Sequence, residues 1–303
     1  MNVLEIHGLK KRFGQNEVLK GVEFSVPPNS VYGLIGPNGA GKTTTMRIVL
    51  GLLARDEGEV SVCGEEVKYG ETKTNRFVGY LPDVPEFYGF MSPVEYLKLC
   101  GRIAGMKDRD IKEKSDELLC LSGLEESSRK RIAGFSRGMK QRLGIAQALL
   151  GSPRLLICDE PTSALDPVGR KEILDILEQV KEKTTVIFST HILSDVERIC
   201  DSVAILHNGV IIQDGNLEEL KARHVTDSIL LELRCPEDMP GLLKRLEDVK
   251  VQQRDKTSLV IHARDIYAMQ HKLMRLLSEG QVAVEKLEIQ EPSLENLFME
   301  AVR

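Results

Sequence analysis

The chain has 303 residues, 42% of them apolar and 29% charged, and a formal net charge of −5. That length predicts about two domains of ordinary globular composition, and the acidic balance leaves no basic field for nucleic acid or an anionic membrane surface. No apolar run reaches the roughly 18 residues that span a bilayer, and Glu5, His7, Lys10 and Lys11 interrupt any apolar leader at the N-terminus.

In chain order, the alternation of Val3-Leu-Glu-Ile-His predicts a strand, as do Phe24-Ser-Val and residues 30–35. The last of these runs straight into a glycine-rich loop, Gly36-Pro-Asn38-Gly39-Ala40-Gly41-Lys42-Thr43. After Lys42, the spacing of Thr44, Met46, Ile48, Val49 and Leu52 predicts a helix that stops near Gly51. A helical stretch is expected over about 91–150. Ser92-Pro-Val-Glu95 is a capping box with proline at the first helical position, and Leu97, Ile103, Ile111, Leu118 and Leu119 follow at helical spacing. Strand 155–158, helix 170–183, strand 185–189, helix 193–200 and strand 202–206 then alternate. This rhythm predicts a largely parallel sheet with helices on its faces.

Asn208-Gly209 marks a hairpin turn back into 210–213, and Asp214-Gly215 ends the first domain, which is expected over 1–215. Residues 217–303 read as a second domain: strand 229–233, helix 239–246, strands 249–253 and 258–262, helix 266–277 and strand 282–289. That β-α-β-β-α-β order predicts a small ferredoxin-like sandwich. A final helix is expected over about 294–301, with Ser293 as its N-cap. The cysteines, Cys63, Cys100, Cys120, Cys158, Cys200 and Cys235, are dispersed without a C-x-x-C pair. They read as reduced thiols rather than disulfides or metal ligands.

The chemistry concentrates in the first domain. Strand, glycine loop and helix together form the context of a phosphate-binding loop, a G-x-x-x-x-G-K-[ST] match. Gly36, Gly39 and Gly41 let the backbone wrap the phosphates, and the helix N-terminus adds a favourable dipole. Lys42 meets the β- and γ-phosphates, Thr43 supplies a hydroxyl to Mg²⁺, and Thr44 donates to a nearby phosphate. Asp159, at the end of the apolar strand Leu-Leu-Ile-Cys, is placed to hold Mg²⁺. Glu160 beside it can orient the attacking water as a general base. His191 follows strand 185–189 near the expected γ-phosphate. Phe13 precedes a turn at Gly14; as a lone aromatic it reads first as core packing, with stacking on adenine as the functional alternative.

With those residues laid out, the first 215 or so resemble the ATP-binding subunit of ATP-binding-cassette (ABC) transporters, motif by motif and in order. Phe135-Ser136-Arg-Gly138-Met-Lys-Gln-Arg142 is similar to the family's signature motif. The resemblance implies that Ser136 and Gly138 face the γ-phosphate held by a second subunit, so that two copies close head to tail on two shared ATP sites. It gives Asp166, in Ser163-Ala-Leu-Asp166, a place at the same interface. It makes His191 the switch histidine and Phe13 the adenine-stacking aromatic. Two departures stand out. Arg137 and Met139 replace glycine and glutamine positions of the common signature, and Asp83 stands where most members carry a glutamine that touches Mg²⁺.

The signature form and the C-terminal Glu291-Pro-Ser-Leu-Glu-Asn-Leu-Phe298 resemble the ABC-2-type exporter group, similar to exporters of antibiotics, lantibiotics or other lipophilic cargo. The resemblance implies an α/β P-loop cassette with an inserted helical subdomain and a small α+β accessory domain. It implies an ATPase using ATP and Mg²⁺, with catalytic Lys42, Glu160 and His191 and metal contacts from Thr43, Asp159 and Asp83. The expected partners are an ABC-2-type transmembrane permease, docked near 83–94, and a second ATP-binding subunit in a homodimer. No nucleic-acid partner is expected. The expected place is the cytoplasmic face of the cell membrane, peripherally bound. The rival readings are an importer ATPase, a soluble ABC ATPase acting on DNA or ribosomes, and a non-enzymatic scaffold. The accessory domain and signature weigh against the first, the absence of a coiled-coil insertion or second cassette against the second, and intact Lys42, Asp159 and Glu160 against the third.

Overall fold

The computed structural model describes residues 2–223, 228–263, 265–290, 294, 295 and 298. The chain divides into two compact units, Met1–Leu217 and Glu218–Arg303.

The first unit opens with strands β1 (Leu4–Phe13) and β2 (Asn16–Val26), joined by a two-residue turn in which Phe13 pairs with Asn16. Both strands run further than their alternation predicts. Lys10, Lys11 and Arg12 break the apolar pattern of β1, and they hold the strand through ion pairs to Glu57, Asp56 and Glu17. Next come β3 (Val31–Ile35), α1 (Lys42–Val49), β4 (Glu57–Val62), β5 (Glu65–Glu66) and β6 (Val78–Leu81). The helical stretch follows as α2 (Pro93–Ile103), α3 (Asp108–Leu121) and α4 (Arg137–Leu149). Ser92 caps α2 through a full capping box with Glu95, as its sequence predicts. Ile103 departs from its expected apolar face and is 78% exposed.

The unit closes with β7 (Leu155–Asp159), α5 (Pro167–Val180), β8 (Thr185–Thr190), α6 (Leu193–Ile199), β9 (Ser202–His207) and β10 (Val210–Asn216). One sheet is antiparallel, in the order β2-β1-β4-β5. The other runs β10-β9-β3-β8-β7-β6, with parallel neighbours throughout except the antiparallel hairpin β9–β10. That hairpin turns at Asn208 and Gly209, both at positive φ, the backbone such a tight turn demands. The strands β3, β7 and β8 are buried along their whole length, as a parallel sheet covered on both faces requires. Their residues Tyr32, Leu34, Leu155, Ile157 and Ile187 share a core with the apolar face of β1 and β2.

A helix α7 (Leu217–Arg223) follows. The second unit then runs β11 (Ser228–Leu233), α8 (Met239–Arg245), β12 (Lys250–Gln253), β13 (Ser258–His262), α9 (Ile266–Glu279) and β14 (Val284–Gln290). Its sheet is antiparallel in the order β12-β13-β11-β14. The first and third strands sit at the centre, which is the ferredoxin-like arrangement its element order predicts. Ile229, Leu231, Leu259 and Ile261 from the two central strands pack against Leu242, Leu273 and Leu277 of the helices. The expected helix over 294–301, its cap Ser293 and most of the Glu291–Phe298 motif lie outside the described residues.

Candidate nucleotide site

The loop between β3 and α1 is shaped by glycine for two separate reasons. A Cβ on Gly36 would meet the Leu206 carbonyl oxygen of β9 at 2.3 Å, so only glycine fits there. Gly41 sits at φ +113° at the N-cap of α1, a backbone that L side chains rarely adopt. Lys42, 6% exposed, begins the helix and turns its Nζ back to the Gly36 carbonyl at 2.7 Å. A cleft of about 730 Å³ opens over this loop. Asn38, Gly39, Lys42, Thr43 and Thr44 line it from the loop and α1, and Asp83, Asp159 and Glu160 from the ends of β6 and β7. Ala40 is buried beneath the loop. Ligands at the carboxyl ends of parallel strands are the rule for open α/β sheets.

Three acidic and basic groups meet at the centre. Glu160 Oε1 lies 3.2 Å from Lys42 Nζ, and its Oε2 lies 2.9 Å from His191 Nδ1. Glu160 holds this position at φ 49°, a strained backbone for a non-glycine residue. Its N–H is fixed by both the carbonyl and the hydroxyl of Ser189, at 3.1 and 3.2 Å. The same Ser189 hydroxyl donates to Asp159 Oδ1 at 2.6 Å, and Thr43 Oγ1 reaches that oxygen at 3.2 Å. A hydroxyl and a carboxylate, both hard oxygen donors, fit a hard cation such as Mg²⁺ at this place.

Of the remaining expected residues, Phe13, Ser136, Gly138 and Asp166 lie outside the lining of this cleft. Ser136 is the exposed N-cap of α4, its hydroxyl accepting from the Met139 N–H at 3.2 Å, with Gly138 one residue into the first turn. Asp166 caps α5 the same way, accepting from the Gly169 N–H at 2.9 Å. Phe13 is 48% exposed at the end of β1, with Lys11 Nζ 5.5 Å from its ring centroid. Asp83 reaches the cleft, yet its carboxylate is 3.3 Å from Arg137 Nη2.

Sequence reasoning missed Asn16, Val18, Arg47 and Tyr80 in the cleft wall, and Ser189 behind it. Arg47 was within reach, one helical turn past Thr43. Asn16 and Val18 were not, because only the distant pairing of β2 brings them there. Burial raises the Tyr80 hydroxyl above its ordinary range, and the nearby Asp159 carboxylate adds to the effect.

The ABC transporter family model matches residues 19–163, and that of the DrrA1-3-like ATP-binding protein C-terminal domain matches 215–302. The chain is 40% identical over 301 residues to the ABC transporter ATP-binding protein YxlF of Bacillus subtilis, covering 99% of each chain. It is 34% identical to the bacitracin transport ATP-binding protein BcrA of Bacillus licheniformis, over 99% of this chain and 97% of that one. It is 33% identical to the linearmycin resistance ATP-binding protein LnrL of Bacillus subtilis, over 98% and 97%. Among solved structures, an ATP-binding subunit of an ABC transporter superposes with TM-score 0.66 at 34% identity, over 73% of this chain and 92% of that one. The cassette cbiO1 of Clostridium perfringens superposes with TM-score 0.68 at 26% identity, over 80% and 99%.

Proposed function

The chain belongs to the ABC transporter family as an ATP-binding subunit, an ATPase, and from that membership we propose how its cleft works and what it drives. In this reading ATP is bound with Mg²⁺, and two copies of the chain close head to tail so that each completes the other's pocket. Lys42 and the loop N–H groups grip the β- and γ-phosphates. Thr43 and Asp159 hold Mg²⁺, whose charge offsets that of the phosphate oxygens. Glu160 orients the attacking water and accepts its proton, a role that typically supplies about 10²–10⁴-fold. His191 steadies the Glu160 carboxylate and faces the γ-phosphate, and Phe13 stacks on adenine. Ser136, Gly138 and Asp166 act on the other copy's nucleotide.

One observation carries the dimer. Ser136, the exposed N-cap of α4, offers a helix N-terminus suited to an anion but is not among the residues that line the cleft with Lys42 and Glu160. A second copy is what brings the two together. The cassette drives export of a lipophilic, antibiotic-like cargo through a separate ABC-2-type permease at the cytoplasmic face of the membrane. Two observations support that reading: the relatives named for bacitracin transport and linearmycin resistance span nearly the full chain, and no helix among the described residues is long and apolar enough to cross a membrane. The exposed Val84, Tyr88 and Phe90 offer the permease an apolar seat.

The test is sedimentation of the Glu160→Gln chain with saturating ATP and Mg²⁺, where a dimer is expected. A persistent monomer would overturn the shared-site reading. Co-purification of the tagged chain from its native cell should bring down a multispanning membrane protein, and ribosomes or nucleic acid in its place would redirect the function.

A further inference from the structure

Helix α4 presents three residues, each about one turn from the next, to the segment 81–85 that forms one wall of the cleft. At its first turn Arg137 Nη2 lies 3.3 Å from Asp83 Oδ1. One turn on, Gln141 Nε2 donates to the Asp83 carbonyl at 2.7 Å. A turn further, a Cβ on Gly144 would meet Leu81 Cδ1 at 2.5 Å and Pro85 Cβ at 3.3 Å, so the helix lies close against both flanks of Asp83. Asp83 is thus clasped at side chain and backbone by the helix that Ser136 caps.

The two exposed charges, 42% and 47% accessible, contribute little energy by themselves. Gln141 is different. It is fully buried, and its Oε1 has no hydrogen-bond partner among the described residues. Pulling the Asp83 carbonyl away would strip the amide nitrogen of this bond and leave a second buried polar atom unpaired. The amide and the close packing at Gly144 therefore hold the segment to the helix, while the ion pair sets where the carboxylate points. Asp83 and Arg137, the two charged departures from the common family pattern, touch each other.

We infer that Asp83 is a positioning residue that ties the nucleotide cleft to α4 through Arg137 and Gln141, and that its carboxylate serves this link rather than a metal. The inference rests on the ATPase reading above. The link fixes the cleft wall at Asp83 against the first two turns of α4.

The experiment uses the full chain and two readouts, steady-state ATP turnover and Mn²⁺ binding to the nucleotide complex by electron paramagnetic resonance. Asp83→Asn and Arg137→Gln should each lower turnover at saturating ATP about tenfold, while Mn²⁺ affinity stays within about twofold. The double variant should be no slower than either single, as coupled residues require, and the charge exchange Asp83→Arg with Arg137→Asp should recover at least about a third of the rate. Losses that multiply in the double variant would overturn the link, as would a fall in Mn²⁺ affinity of about tenfold in Asp83→Asn. Absence of ATP binding by the unsubstituted chain would overturn the ATPase reading and the link with it. Normal binding with multiplying losses would overturn the link alone.

Discussion

Lys42 Nζ lies 3.2 Å from Glu160 Oε1, with the two side chains 6% and 15% exposed. The proposed phosphate-gripping cation and the proposed base are therefore partnered with each other, and on that reading incoming phosphate draws the lysine from the carboxylate. Removing the negative charge relieves that competition and the repulsion toward phosphate together. Glu160→Gln should bind ATP about threefold to tenfold more tightly, a change of roughly 0.7–1.4 kcal/mol, while turnover falls by about 10² or more. Titration calorimetry and a phosphate-release assay read the two effects. Weaker binding with normal turnover would remove Glu160 from its role. Lys42→Ala, which loses the cation altogether, should abolish measurable binding.

Ser189 is fully buried and serves both acidic residues, donating to Asp159 and accepting from the Glu160 N–H. The Glu160 N–H keeps the Ser189 carbonyl when the hydroxyl is removed, but the Asp159 carboxylate loses its shortest donor. Ser189→Ala should cost about 1–2 kcal/mol of stability and about 10–100-fold in activity or metal affinity, the usual range for groups that orient a metal ligand. Mn²⁺ titration in the presence of ATP checks it, and unchanged affinity and rate would mean that Thr43 alone orients the carboxylate.

The fold and the centre of the site were legible where local chemistry sets them. The Ser92 cap, the Asn208-Gly209 turn and the strand–loop–helix around Lys42 follow from residues adjacent in sequence, and the alternation of apolar strands with helices announces a parallel sheet. The order of the second unit's elements gives its ferredoxin-like sheet. What escaped depends on distant pairing. The outer half of β1 is carried by ion pairs to β2 and to 56–57 rather than by alternation. Val18 enters the cleft through strand register, and Ser189 supports Asp159 through the neighbouring strands β7 and β8. The Asp83–Arg137 pair joins residues 54 apart, each of which looks like an isolated departure until the fold brings them together.

Gly144 tests the close seat of α4 on the cleft wall. Alanine in a helix interior ordinarily gains about 1 kcal/mol over glycine. Here the added methyl would sit 2.5 Å from Leu81 Cδ1 and 3.3 Å from Pro85 Cβ, and Leu81 is fully buried. Overpacking of this kind costs about 1–3 kcal/mol, so the net effect of Gly144→Ala should be destabilising. Urea unfolding followed by a probe in the first unit measures it. A gain in stability would show that the segment yields freely and that the helix does not grip it.

The second unit offers a pH test independent of the nucleotide site. Asp255, in the turn between β12 and β13, accepts from the N–H groups of Thr257 and Ser258, both at 2.8 Å, and from the Ser258 hydroxyl at 2.6 Å. Those bonds, led by the Ser258 hydroxyl, lower its carboxyl to about 2, against an ordinary value near 3.9 in the unfolded chain. The folded form thus binds its proton less readily than the unfolded form. Its contribution is full above about pH 4 and is lost as the pH falls through about 2. Asp255→Asn cannot ionise, so the stability gap between the two chains should be widest at neutral pH and close between pH 4 and 2. Thermal unfolding of the second unit across that range reads the gap directly. A gap that stays constant with pH would mean the turn is held by its backbone bonds alone, such as Arg254 N–H to the Ser258 carbonyl at 3.0 Å.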